Sequence, residues 1–377
     1  MHIVVNTRLM MKDRLDGIGW FSYETLRRIT AAHPEHLFTF VFDRPAADEF
    51  VFSDNVRHVV LPPRAGRPLL TRFWFDVSLY AFLWRARPDL LISPDGALPI
   101  HSQVPALAVI HDINFAHRPA DLPFLSRHYY NSMFPRYARK AARIATVSAY
   151  SKADIAETYG IPAEKIDVVY NGCNTGYRPV SETTRREVKA KYTEGCDYFV
   201  FVGSLHPRKN INGLVQAFDR FKSASGSALK LLIVGANYWS DAASEAGFGR
   251  LQHKIDVIFT GRLAQQELFS VFASALAMTY VPYFEGFGIP LLEAMNCDVP
   301  VVTSNVTSMP EIAGDAAIFV DPNSVEAIAA AMQRLASDPQ LRATLIAKGR
   351  IRTEQFSWDR SARLLWQSVE KVLASHC

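Results

Sequence analysis

Short apolar runs alternate with amphipathic stretches along the whole chain, and that alternation predicts parallel α/β structure. Strands are expected at 2–5, 37–42, 56–60, 90–92, 106–110, 144–147 and 166–169. A second series follows at 198–202, 229–234, 257–259, 276–279, 299–302 and 317–320. Between the first strands, 18–32 places Ile18, Phe21, Leu26 and Ile29 along much of one helical face. A second helix is expected over about 125–142, another from about Ile211 with Asn210 as its cap, and a last one over 358–373 with Ser357 as N-cap. The stretch from about Gly172 to Gly195 is polar and charged and contains Pro179, so it is expected to connect two doubly wound domains. The boundaries that follow are 1–175, 176–356 and a C-terminal helix at 357–377. In open α/β sheets ligands lie beyond the carboxyl ends of the strands, so the residues just after each strand are the ones that matter.

Composition narrows the picture a little. A length of 377 residues fits two domains, and a hydrophobic share of 49% supplies ordinary cores. The net charge of +4 is too mild to imply nucleic acid. Cys173, Cys196, Cys297 and Cys377 are scattered without metal or disulfide spacing, which points to a reducing compartment. The chain runs directly into a strand and contains no apolar run of membrane-spanning length. A cytoplasmic protein is expected, with any membrane contact made at the surface.

The most informative stretch is Glu285-Gly286-Phe287-Gly288-Ile289-Pro290-Leu291-Leu292-Glu293. Pro290 suits the first turn of a helix, where its missing N–H is not needed. The positive end of that helix and its unpaired N–H groups suit a phosphate. Gly286 and Gly288 let backbone approach a ligand. Glu285 and Glu293 are placed to accept hydrogen bonds from hydroxyls on either side of the phosphate, and a ligand of that form is a nucleotide sugar. The competing reading is a helix start with acids favoured by the dipole.

Other candidates follow strands. Gly203-Ser204-Leu205-His206-Pro207-Arg208-Lys209-Asn210 sets two cations beside a helix start, which is unfavourable unless an anion lies between them. Arg208 and Lys209 therefore suit a diphosphate leaving group. His111-Asp112 follows the strand at 106–110, where a neutral imidazole suits a sugar hydroxyl and Asp112 either orients it or opens a turn with Asn114. Gly17-Ile18-Gly19 resembles a phosphate turn but lacks the dinucleotide spacing, and reads better as a turn that brings a helix start near donor or acceptor. Arg262 and Leu263 after 257–259 suit a nucleobase edge or phosphate, although Leu263 fits a core equally well. Arg127, Arg136, Arg139, Lys140 and Arg143 interleave with Tyr129, Tyr130, Met133, Phe134 and Tyr137, and Arg64, Arg67 and Arg72 lie near Phe73 and Trp74. Such mixtures suit an anionic membrane surface, or a helix with a solvated basic face and a core face. No acidic metal motif or Walker lysine is present, so no metal or other cofactor is expected.

These pieces, with Thr146-Val147-Ser148-x-x-Ser151, Tyr170-Asn171-Gly172 and Met309-Pro310-Glu311-Ile312-Ala313-Gly314, resemble a retaining glycosyltransferase of the GT-B-fold family 4 type. They occur in the family's order over nearly the whole chain. The resemblance implies two Rossmann-like, doubly wound parallel-sheet domains facing across a cleft. It implies that Arg208 and Lys209 hold the donor diphosphate and Glu293 the ribose. Glu285 and the backbone of Gly286, Phe287 and Gly288 would contact the transferred sugar and phosphate, and His111 would contact the sugar. Gly17, Gly19, Gly203, Ser204, Arg262 and Leu263 complete the expected donor-binding set. Ser204 departs from the arginine common at that position, which puts the arginine role on Arg208. The Pro207-Arg208-Lys209-Asn210 variant is similar to mannosyltransferases of bacterial polysaccharide assembly. The expected donor is GDP-mannose, and the expected acceptor is a glycan hydroxyl, lipid-linked or free, with peripheral membrane contact and no nucleic acid. A related epimerase or phosphorylase, or a non-catalytic nucleotide-sugar binder, is the alternative.

Overall fold

The computed structural model describes residues 1–12, 15–235 and 247–375. They form two compact units, Met1–Gly172 with Ser357–Cys377, and Cys173–Phe356.

The first unit is built on seven parallel strands. In chain order these are β1 (His2–Asn6), β2 (Leu37–Phe42), β3 (Val56–Val60), β4 (Leu90–Ser93), β5 (Ala106–Val109), β6 (Arg143–Thr146) and β7 (Ile166–Val168). Their order across the sheet is β3-β2-β1-β4-β5-β6-β7, which reverses direction between β1 and β4. Every residue of β4 and β5 is buried, because helices cover both faces of a parallel sheet. That burial is why these strands read as continuous apolar runs and not as alternating ones.

The helix Trp358–Ala374 belongs to this unit, capped by the Ser357 hydroxyl, which accepts from the Arg360 N–H. It buries Trp358, Leu365, Trp366, Val369 and Val372 and packs on the helix Gly17–Ala32. Arg28 ties the two helices, pairing with Glu24 on its own helix and with Asp359 on the last one. At the other end Asp167 accepts from Arg143 and Lys371. Burial alone would raise the Asp167 carboxyl, but the two cations hold it at about 2.

The second unit has β8 (Tyr198–Val202), β9 (Lys230–Val234), β10 (Val257–Gly261), β11 (Ala277–Tyr280), β12 (Val301–Ser304) and β13 (Ala317–Val320), in the order β10-β9-β8-β11-β12-β13. All pairings are parallel, and the direction of winding reverses between β8 and β11. The polar stretch expected to be a connection is largely structure of this unit. Its helix Glu182–Thr193 starts on the Ser181 hydroxyl and buries Val188 and Thr193. A mean hydropathy dominated by its solvated face hides that narrow apolar side from a reading of composition.

Among the described residues no helix is long and apolar enough to cross a membrane.

Gly172 shows how closely the last helix docks. A Cβ at this position would lie 2.3 Å from the Trp358 N–H nitrogen. Gly172→Ala is therefore expected to lower the unfolding free energy of the first unit by about 1–3 kcal/mol in urea titrations followed by tryptophan fluorescence. Gly66→Ala, whose Cβ would meet nothing within 4 Å, serves as the near-neutral control.

Candidate active site

The candidate residues follow the carboxyl ends of strands, with Arg208, Lys209 and Glu285 at the second sheet's reversal point. In the second unit β8 and β11 are neighbours, and the loop after each contributes half of one cluster. After β8 the chain makes a short turn at Pro207–Lys209, and Asn210 follows with φ 59°. The Asn210 side chain accepts from the Gly213 N–H at 3.2 Å and donates to the carbonyls of Val281 and Pro322 at 3.2 and 2.7 Å. Asn210 thus caps the helix Ile211–Ser225 and pins the loop to the segment after β11.

That pinning sets both cations on one carboxylate. Oε2 of Glu285 accepts from Arg208 Nη1 at 2.7 Å, from Lys209 Nζ, and from the Tyr280 hydroxyl at 2.9 Å. Arg208 also donates to the Phe284 carbonyl at 3.0 Å. Lys209 is 6% exposed and lies 4.9 Å from the centre of the Tyr280 ring. Burial alone would raise the Glu285 carboxyl; the neighbouring Arg208 and Lys209 charges reverse that and hold it at about 2. Burial and the Glu285 charge push Tyr280 well above its ordinary value. The cations expected to face an anion thus clasp Glu285, while its Oε1 takes no hydrogen bond from the described residues.

The helix Ile289–Asn296 starts at Gly288, with φ 92° and no capping side chain, and Pro290 lies in its first turn. A Cβ on Gly288 would lie 2.6 Å from the Met309 side chain, so glycine is required by packing as well as by φ. The Ser308 hydroxyl donates to the Glu285 carbonyl at 2.8 Å. The stretch from Met309 to Gly314 therefore supports the Glu285 turn from below. Phe287 is buried edge-on against Phe356. Its side chain is structural, which leaves only its backbone to face a ligand.

Glu293 has the opposite environment. No cation pairs with it among the described residues, and Tyr177 is its hydrogen-bond partner. Burial raises its carboxyl to about 7, against the lowering effect of Tyr177. The two acids of one motif are thus split, one fixed as a carboxylate and the other poised near neutrality.

Three neighbouring strands end in glycine: Gly203 after β8, Gly235 after β9 and Gly261 closing β10. The Gly203 N–H donates to Val234 and the Gly235 N–H to Gly261, each at 3.0 Å. A Cβ on Gly235 would lie 2.1 Å from the Gly203 carbonyl oxygen. Ser204 and Arg262 are exposed beside this edge, whereas Leu263 packs against the core.

In the first unit His111 follows β5. Its Nε2 bonds the Pro94 carbonyl at 2.9 Å and its ring meets Phe21 edge-on at 5.0 Å. Burial lowers the imidazole below its ordinary value, against the Pro94 carbonyl and the Asp112, Asp16 and Asp95 charges, so the ring is neutral at pH 7. Asp112 opens a turn, accepting from Asn114 N–H and Nδ2 at 3.0 and 2.6 Å. The loops at the first sheet's reversal point are joined by Arg8 and Asp95 at 2.6 Å. Gly17 is exposed, and Gly19 is buried with its N–H given to the Asp16 cap at 2.9 Å. The Gly17–Gly19 turn thus carries its own carboxylate.

Sequence reasoning missed Tyr280, Ser308, Tyr177 and Gly235. Tyr280 and Gly235 lie at carboxyl ends of strands, a position that flags them. Tyr177 and Ser308 reach their partners only through the fold.

The basic and aromatic stretch follows the second of its two readings, a helix with a core face, except that Arg143 falls in a strand. Met133, Phe134 and Tyr137 are buried core, and Arg143 lies in β6, paired with Asp167. Trp74 is fully buried, with its indole N–H on the Leu61 carbonyl at 2.8 Å.

Parallel Rossmann-like sheets with a cation pair and an acid-flanked glycine turn at the reversal point define a glycosyltransferase of the GT-B class. Residues 15–177 match the family described as Glycosyltransferase Family 4, and residues 183–352 match Glycosyl transferases group 1. The chain is 31% identical to O-antigen chain mannosyltransferase B of Escherichia coli, over 93% of this chain and 94% of that protein. It is 27% identical to O-antigen chain mannosyltransferase RfbU of Salmonella typhimurium, over 63% and 64%. The solved sucrose-phosphate synthase of Thermosynechococcus elongatus shares its fold with a TM-score of 0.77, at 18% identity and 99% coverage of both chains. The chain belongs to the family 4, or group 1, glycosyltransferases.

The raised Glu293 carboxyl gives a stability prediction. Its value in the unfolded chain is near 4.5 and in the fold about 7. The folded state therefore loses stability as pH rises from 4.5 through 7, and the penalty is complete above 7. Glu293→Gln should stabilise the ligand-free second unit by about 1–3 kcal/mol at pH 8, with the gain vanishing near pH 4.5, as read by unfolding titrations at several pH values.

Proposed function

We propose that the chain transfers mannose from GDP-mannose to a hydroxyl of a growing, lipid-linked bacterial polysaccharide, with retention of configuration and without a metal. The convergence of Arg208 and Lys209 on Glu285 at the carboxyl ends of β8 and β11 carries this reading. Two cations meeting one carboxylate leave a net positive charge where a diphosphate departs. Donors fixed in advance of the reaction stabilise such charge without reorganising. In this reading the cations supply the neutralisation that a divalent ion gives elsewhere. Oε1 of Glu285 takes a sugar hydroxyl, Glu293 takes the ribose, and the backbone of Gly286–Gly288 takes phosphate oxygens. His111, neutral and with its Nε2–H given to the Pro94 carbonyl, accepts through Nδ1 from a hydroxyl of the transferred sugar. Attack comes from the face the phosphate leaves. The bond from the anomeric carbon to the phosphate oxygen breaks as the bond to the acceptor oxygen forms, and the acceptor proton passes to the departing phosphate. The mannosyl donor and the polysaccharide acceptor are supported by the two O-antigen chain mannosyltransferases to which the chain is similar.

Labelled GDP-mannose and a lipid-linked oligosaccharide acceptor test this directly. Transfer of label is expected in EDTA, and Arg208→Ala with Lys209→Ala should lower kcat by about a hundredfold or more with the fold retained. Unchanged transfer in the double variant would overturn the leaving-group assignment.

A lipid-linked acceptor calls for a membrane-facing surface, and we propose one on the first unit. Residues 68–86 form one helical run whose middle, 74–79, is π-helical. It exposes Leu69 at 79%, Phe73 at 49% and Trp84 at 67%. Exposed Arg64, Arg67, Arg72 and Arg85 flank them. Phe124 and Leu125, also exposed, begin the helix Phe124–Lys140, which packs on the start of this run. Apolar side chains framed by arginines suit an anionic interface, where each cation contributes about 1 kcal/mol. Co-sedimentation with vesicles containing anionic lipid is expected, weak with neutral vesicles, and reduced about tenfold by Leu69→Ser with Trp84→Ser.

A further inference from the structure

We propose that the turn His33-Pro34-Glu35-His36 binds a divalent transition-metal ion of the zinc class. The turn joins the helix Gly17–Ala32 to β2. His33 Nδ1 lies 3.5 Å and His36 Nε2 3.2 Å from the same oxygen, Glu35 Oε1. The three ligand atoms all lie within 4.8 Å of one another. A tetrahedral zinc ion with bonds of roughly 2.0–2.1 Å holds neighbouring donor atoms about 3.4 Å apart. Two edges of the triangle already have that length, and closing the third asks for a small movement of one half-buried imidazole toward the other.

The turn is held in place before any ion arrives. Asn55 Nδ2 reaches the backbone carbonyls of Thr30, His33 and His36 at 3.1, 3.1 and 3.0 Å. The indole of Trp366 stacks on the His33 ring at 3.7 Å with 19° between planes, and lies 5.4 Å from the His36 ring at 24°. The two imidazoles are within 5° of parallel. One flank of the ligand set is therefore a fixed aromatic wall, and the other is the exposed Glu35 carboxylate. His33 and Trp366 also line a cavity of about 370 Å³.

Two imidazoles and one carboxylate select zinc, copper(II), nickel or cobalt over magnesium or calcium. Nδ1 of His36 is buried without a hydrogen-bond partner, so the outer-shell support that raises affinity in dedicated zinc sites is missing on that side. The ion is consequently exchangeable and not a permanent structural metal. Its position also separates it from transfer chemistry. The turn enters the amino end of β2, whereas His111 follows the carboxyl end of β5 in the same parallel sheet. The ion instead links the first helix, β2 and, through Trp366, the last helix.

Calorimetric titration of the tag-free, chelator-stripped protein with Zn²⁺ tests the proposal, together with Cu²⁺ quenching of tryptophan emission. One equivalent of Zn²⁺ is expected, with affinity lowered about tenfold or more in Glu35→Gln and in His36→Gln. Glu35 is largely exposed, so Glu35→Gln keeps the fold even if a histidine variant does not. Saturable Cu²⁺ quenching should disappear in Trp366→Phe while Zn²⁺ affinity stays within a few-fold. Binding that survives unchanged in Glu35→Gln and His36→Gln would place the ion elsewhere, for example on cysteine, and would overturn the assignment. So would the absence of any saturable heat or quenching in the unaltered chain.

Discussion

A single carboxylate oxygen gathers the charged side chains of the second unit's functional loops. Charges as buried as Lys209 and Glu285 are costly unless paired with good geometry, and Glu285 Oε2 supplies that pairing for two cations at once. Without it Arg208 and Lys209 would repel each other across a poorly solvated space. The loop after β8 and the turn after β11 would then keep only their backbone and Asn210 contacts. Tyr280 closes the same cluster from the sheet side, and Ser308 secures the backbone that carries Glu285. The arrangement is preorganised, because each member is fixed by a neighbour before any ligand is present.

Sheet order explains why this cluster stands where it does. β8 and β11 are adjacent but lie on opposite sides of the winding reversal, so the connections leaving them diverge and open a space above the strand ends. Asn210 and the close approach of Gly235 to Gly203 keep that space lined by backbone and short side chains. The first sheet uses the same device in a different way. There Arg8 and Asp95 brace the loops at the reversal, and His111 is tied to Pro94 one strand further on.

Much of this was legible in the chain itself. Parallel strands buried on both faces are unbroken apolar runs, and all thirteen emerged within a residue or two of their observed limits, from the strand opening at His2 to the one closing at Val320. Glu285, Glu293, Arg208 and Lys209 were visible because glycine, proline and charge occur together just after strands. The pairing of Glu285 with both cations was not visible, since it depends on β8 and β11 becoming neighbours across many intervening residues. The split between the two acids was also hidden, because Tyr177 and the burial around Glu293 come from distant segments. Polar and mixed stretches were the hardest to read, as with the helix Glu182–Thr193, taken for a connection, and with Tyr137, left open between membrane and core, because periodicity alone does not say which face meets a core.

The first unit is discontinuous, completed only when Ser357–Cys377 returns to it. During ribosomal synthesis its seven strands emerge early, yet the helix that sets Trp358 against Phe21 and the Trp366 indole against His33 is made only after the whole second unit. Nascent chains therefore carry an uncovered apolar flank for as long as the whole second unit takes to be translated. Such transiently exposed apolar surface is what makes a partly synthesised chain prone to aggregate.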